Sequence, residues 1–154
     1  MDIYAEKLGD FIRLNLVQAE HLYFDQSCHS VAEAAQAVHA AAEDFVKNIC
    51  LMTGTGQLLL AIVKGEDRVS PERIAVALEI DPPRMAKPIE ILTLTGYPCG
   101  GTPSFGYPAQ VLIDPHVLEN EFVYSGGGSE NALVRISTQE LLRASRGRIL
   151  LIRK

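Results

Sequence analysis

The chain has 154 residues, 47% of them hydrophobic and 21% charged, with a net charge of −5. That is the composition of one folded domain with its own core; it excludes a disordered polymer, and the acidic balance excludes nucleic-acid binding by bulk electrostatics alone. The longest apolar run, residues 58–63, is far short of the ~20 residues that cross a bilayer, and Asp2, Glu6, Lys7 and Asp10 occupy the place of a signal peptide's basic and apolar regions, so a cytoplasmic protein with no membrane contact is expected.

In chain order, Ile3, Leu8, Phe11, Ile12 and Leu16 share one face of a helix over the first sixteen residues. Leu22-Tyr23-Phe24 reads as a strand. Ser30 with Glu33 three residues on is a capping box that opens an Ala-rich helix to about Ala42. Residues 45–52 and 58–63 are apolar runs joined by Thr53-Gly54-Thr55-Gly56-Gln57, the pattern of a β-hairpin. No helix signal follows Gly56, so Gly54-x-Gly56 is not a dinucleotide fingerprint. Ser70-Pro71-Glu72 starts a helix with a cap and a proline at the first helical position, running to about Leu78. Lys87-Pro88 opens another that stops at Gly96. Residues 109–113, 121–124 and 132–136 are short strands, Ser137-x-x-Glu140 caps a helix to about Ser145, and residues 148–153 form a last strand. Strands and helices alternate without regular βαβ spacing, so the fold class is α+β with a mixed sheet, in a single domain over 1–154.

Cys28, Cys50 and Cys99 are an odd number without C-x-x-C spacing, which suits reduced thiols. Cys50 falls inside an apolar run and is read as core. Cys28-His29 and His39 have no second pair at ligand spacing, so no metal is expected. The basic residues Arg143, Arg146, Arg148, Arg153 and Lys154 gather near the end and read as a solvated terminus, with contact to a phosphate backbone as the alternative.

The segment Gly100-Gly101-Thr102-Pro103-Ser104-Phe105-Gly106 cannot be regular helix or central strand. It is a turn, or a shaped loop whose backbone N–H groups hold a phosphate, a carboxylate or an oxyanion. Twenty residues on, Gly126-Gly127-Gly128-Ser129 is a second such segment. Lys47 is the one charged residue in the apolar run 45–52; it either snorkels to water or has a ligand.

Taken in order, these features resemble the YbaK-type aminoacyl-tRNA deacylases, relatives of the editing domain of bacterial prolyl-tRNA synthetases. The residues that carry the resemblance are the capped helix leading to Phe45-Val46-Lys47-Asn48-Ile49, then Leu94-Thr95-Gly96-Tyr97, the first glycine loop, Val111-Leu112-Ile113-Asp114, and the second glycine segment with residues 132–142. The match spans roughly residues 22–145. Two positions depart from the pattern: Ser104 stands where a second proline is common, and Tyr107 where many relatives have histidine.

The resemblance implies a mixed, barrel-like β-sheet flanked by helices, and hydrolysis of the ester joining a wrong amino acid, a small one such as Cys or Ala, to tRNA(Pro) or a similar tRNA. It implies the tRNA 3′ end as substrate, an aminoacyl-tRNA synthetase as a possible partner, and no cofactor. Lys47, Gly100, Gly101 and Thr102 are then the catalytic set. Pro103, Ser104, Phe105, Gly106, Tyr107, Asp114, Gly127 and Gly128 are the substrate-binding set, although Asp114 before Pro115 reads on its own as a helix cap. Two alternatives stay open: a non-catalytic module of the same fold that binds tRNA or a synthetase, and a thiol hydrolase using Cys99.

Overall fold

A computed structural model describes residues 2–28 and 30–154. Helix α1 (Ile3–Leu14) begins at Asp2, whose carboxylate accepts from the Tyr4 amide, and buries Ala5 and Leu8. Strand β1 (Ala19–Tyr23) starts three residues earlier than the Leu22-Tyr23-Phe24 reading. The Ser30 cap opens α2 (Val31–Val38) as expected, but the helix stops short of Ala42. His39 turns left-handed at φ +56°, and its amide and that of Ala40 both close on the Ala35 carbonyl. A 3-10 turn, Ala42–Asp44, then leads into the hairpin of β2 (Val46–Met52) and β3 (Leu58–Lys64).

Helix α3 (Pro71–Leu78) has Ser70 as its N-cap, and α4 (Pro88–Thr95) ends at Gly96 in the left-handed region. Between them lies β4 (Arg84–Met85), a two-residue strand too short to leave a periodic signal. Then follow β5 (Gln110–Ile113), β6 (Phe122–Gly126), β7 (Ala132–Ser137), α5 (Thr138–Ser145) and β8 (Arg148–Ile149). The strand expected over 148–153 breaks after Ile149, and Arg153 makes a separate antiparallel bridge to Val69.

The architecture is α+β and mixed, but the strands do not close into a barrel. They form two sheets, β1-β7-β6 and β4-β2-β3-β5-β8, the second with two parallel pairs, β3 on β5 and β5 on β8. Every residue of β3 is buried. Leu58, Leu60 and Ile62 enter the core between the sheets, and Leu59, Ala61 and Val63 pack under α3 with Ile74 and Ile152. A strand covered on both faces reads as a continuous apolar run rather than an alternating one, and each buried Leu, Ile or Val in it contributes about 1.5–3 kcal/mol. No helix among the described residues is long and apolar enough to cross a membrane.

Candidate active site

The two sheets meet where β2 begins. Phe45 bridges Tyr124 in parallel, with their rings stacked 5.0 Å apart. At this seam lies a cavity of about 210 Å³. Val31 and Ala34 of α2, Phe45 and Leu133 give it an apolar wall; Lys47, Asn48, Gly100, Thr102 and Ser125 give it a polar one. Among the described lining residues there is no carboxylate and no imidazole.

The two glycine segments interlock beside this cavity. The Gly128 amide donates to the Gly101 carbonyl at 2.8 Å, and the Gly101 amide to Pro98 O at 3.1 Å. A Cβ on Gly101 would lie 2.7 Å from Gly128 O, and one on Gly126 only 2.1 Å from Thr102 O. Glycine is therefore required here for the close approach of two backbones. Because the Gly101–Thr102 peptide is trans, its N–H points opposite to its carbonyl. The Thr102 amide is thus directed away from the second glycine segment. Neither it nor the Gly100 amide has a protein acceptor among the described residues. Behind the second segment, His21 on β1 lies 2.7 Å from Gly127 O and 2.9 Å from the Tyr23 hydroxyl. Burial lowers its pKa by more than the bond to Gly127 raises it, so the neutral ring donates from Nε2 and accepts at Nδ1.

Lys47 is half-buried at the cavity and makes no hydrogen bond or ion pair with a described residue. Burial and then the Arg68 guanidinium push its pKa below that of an ordinary lysine, and Asp67 offsets them only in part. Its neighbour Asn48 holds the loop: Nδ2 donates to Thr102 O at 3.0 Å and to Ser125 Oγ at 3.1 Å, and Oδ1 accepts from Ser104 Oγ at 2.7 Å. Sequence reasoning missed Asn48 and Ser125. The available signal was a second polar residue, next to Lys47, in an otherwise apolar strand.

Of the residues expected at the site, Lys47, Gly100 and Thr102 line the cavity, Gly101 and Gly128 form the interlock, and Gly127 packs instead on the backbone of Ala132 and Leu133. Pro103 accepts from the Tyr107 hydroxyl at 2.6 Å. Ser104 and Phe105 are buried beneath the loop, Phe105 against Phe11. Gly106 and Tyr107 face a different hollow, lined also by Arg143 and Arg146. Asp114 is not among the cavity's lining residues and is the cap that its place before Pro115 suggested: its fully buried carboxylate caps the 3-10 turn Pro115–Glu119 and binds the amides of Ile152 and Arg153. Cys99 is exposed at the cavity rim, while the described histidine bonds go elsewhere, His21 to Gly127 and Tyr23 and His116 to Asp67. Cys50 is core, as expected, its thiol pushed up to about 12 by burial and by Cys99. His29, half of the Cys28-His29 pair, lies outside the described residues.

Residues 25–144 match the aminoacyl-tRNA editing domain. The chain belongs to that family. The editing-domain fold recurs in a solved structure described as a candidate trans-editing enzyme for prolyl tRNA synthetase, 25% identical, with a TM-score of 0.92 over 100% of this chain and 99% of that one. It recurs again in the hypothetical protein APE2540, 27% identical, with a TM-score of 0.88 over 96% of this chain and 99% of that one. An uncharacterised protein of Bacillus subtilis (strain 168), YwhH, is 23% identical over 120 residues, 77% of this chain and 76% of its own.

Proposed function

We propose that the protein is a freestanding aminoacyl-tRNA deacylase of the cytoplasm. It would hydrolyse the ester of a mischarged tRNA, with the acyl group in the cavity and the 3′-terminal nucleotide against Lys47. The observation that carries this reading is a lysine without a described hydrogen-bond or ion-pair partner that lines the same cavity as Gly100 and Thr102, whose backbone amides lack protein acceptors among the described residues. Lysine, as a point cation, suits a phosphate or ribose oxygen. The Thr102 and Gly100 amides suit the oxyanion that forms as water attacks the ester carbonyl; removing one such donor in other enzymes costs about 3–4 kcal/mol. The apolar wall of Val31, Ala34, Phe45 and Leu133 suits a side chain without charge, and a small one such as that of Ala or Cys is the acyl group this reading assigns to it. Discrimination against one methylene is worth only about 1–3 kcal/mol in a synthetase, which is the reason a second, hydrolytic site is useful.

With no carboxylate or imidazole among the described lining residues, the water's proton would be relayed through a vicinal ribose hydroxyl of the substrate to the ester oxygen that leaves as the C–O bond breaks. That same observation favours the second reading, a module that binds charged tRNA or a synthetase without hydrolysing anything. One assay separates them. Incubated with Ala-, Cys- and Pro-tRNA, the protein is expected to release one amino acid, and Lys47→Ala to lower kcat/KM about 10–100-fold, the worth of one charge-assisted contact. Tight binding without release from any charged tRNA would leave the binding module; full activity in Lys47→Ala would remove the role given to that residue.

A further inference from the structure

We propose that Ser104 is a positioning residue: it closes a one-way ring of hydrogen bonds with Asn48 and Ser125 that holds the polar wall of the cavity. The kinetic part of this proposal rests on the deacylase reading; the ring itself does not.

The direction of the ring follows from counting protons. The Thr102 carbonyl can only accept, so the atom of the Asn48 carboxamide facing it at 3.0 Å must be the nitrogen, and Oδ1 must face Ser104. The Ser104 hydroxyl has one proton, and it goes to Asn48 Oδ1 at 2.7 Å. The 2.6 Å contact between the two serine oxygens then takes its proton from Ser125. Ser125 in turn accepts from Asn48 Nδ2 at 3.1 Å. Every bond therefore runs the same way round: Asn48 Nδ2 to Ser125, Ser125 to Ser104, Ser104 to Asn48 Oδ1. A single acceptor outside the ring, the Thr102 carbonyl, fixes this sense. Bonds arranged head to tail polarise one another and strengthen together.

Three properties of the cavity follow. Asn48 and Ser125 line it, whereas Ser104 is fully buried and does not, so Ser104 acts on the cavity only through them. The Ser125 proton is directed at Ser104 and the Ser104 proton at a carboxamide oxygen, so neither hydroxyl donates to a base that could make it a nucleophile. Finally, both Nδ2 protons of Asn48 are used, one of them on Thr102 O, so the carboxamide pins the residue whose amide stands as the oxyanion donor. Removing the Ser104 hydroxyl strips Oδ1 of its anchor and lets the carboxamide turn, with the loop following.

The test uses Ser104→Ala and reads two things on the full-length protein. Hydrogen exchange of the Asn48 side-chain amide, followed by NMR, is expected to speed up at least about tenfold, while the backbone amides paired between β2 and β3 keep their protection. Release of the amino acid is expected to lose about tenfold in kcat, less than the 10²–10³-fold of deleting a donor outright, with KM for the charged tRNA unchanged. Ser104→Cys, close in size with a weak S–H donor, covers the case in which the alanine variant does not fold, and should fall between the two. Unchanged Asn48 exchange overturns the ring, and faster exchange with unchanged kcat overturns the positioning role. Because exchange is read on the protein alone, failure of the ring is distinguishable from failure of the deacylase reading, which only the release assay reports.

Discussion

Lys47 shows how a strand position becomes a site. Residues on either side of it in β2 are apolar or amide, and its ammonium is half-withdrawn from water without a protein anion bonded to it. Burial and the nearby Arg68 both disfavour the charged form, so the proton leaves at a lower pH than from a free lysine, about 10.4. The protonated form is the one that attracts a phosphate. Affinity for the tRNA 3′ end is therefore expected to hold at neutral pH and to fall as pH rises through that lowered pKa, before an ordinary lysine would titrate. Lys47→Arg keeps its charge throughout this range, so its binding, whatever its starting level, should stay flat up to pH 10. A wild-type profile equally flat to pH 10 would show that the ammonium is not the group being read.

The two glycine segments behave as one element, because each is shaped by the other. Gly126→Ala places a methyl 2.1 Å from the Thr102 carbonyl oxygen, where only backbone movement can relieve the contact. The expected cost is about 2–3 kcal/mol, a fall of about 1 M in the urea midpoint, together with loss of amino-acid release. Gly54→Ala is the control: nothing lies within 4 Å of the added methyl, and the change should stay within about 0.5 kcal/mol. The same segments mark the limit of what the sequence discloses. Caps at Ser30, Ser70 and Ser137, the proline starts of α3 and α4, and the apolar runs of β2 and β3 are local signals, and the elements appear where those signals fall. The end of α2 at His39 was not legible, since a non-glycine residue in the left-handed region leaves no local mark. Nor was the Asn48–Ser104–Ser125 ring. Its members stand 21 to 77 residues apart, and only the packing of one sheet on the other brings them together.

At the scale of the whole molecule, the last residues form a clasp: Arg143, Arg146, Arg148 and Lys154 are exposed, as the solvated reading expects, but Arg153 and the backbone around it are tied down. The buried Asp114 carboxylate accepts from the amides of Ile152 and Arg153, at 3.0 Å each, and from the Arg153 guanidinium. Ser70 N donates to Ile152 O at 2.7 Å and Lys154 N to Arg68 O at 2.8 Å. The end of the chain thus fixes the loop that carries Arg68, and through it the electrostatic surroundings of Lys47. Burial alone would raise the Asp114 pKa, but the bonds from His116, Ile152 and Arg153 outweigh it and the net shift is downward. A carboxylate with a lowered folded-state pKa contributes stability that is complete above its unfolded value, about 3.9, and is lost as pH falls through the folded one. Asp114→Asn keeps the shape but turns an NH₂ toward donors, so it should cost about 2–4 kcal/mol at neutral pH. Measured by urea unfolding from pH 7 to pH 3, the gap between wild type and variant is expected to stay constant down to about pH 4 and then close. A gap that persists undiminished at pH 3 would mean that the charge of Asp114 does not hold the clasp.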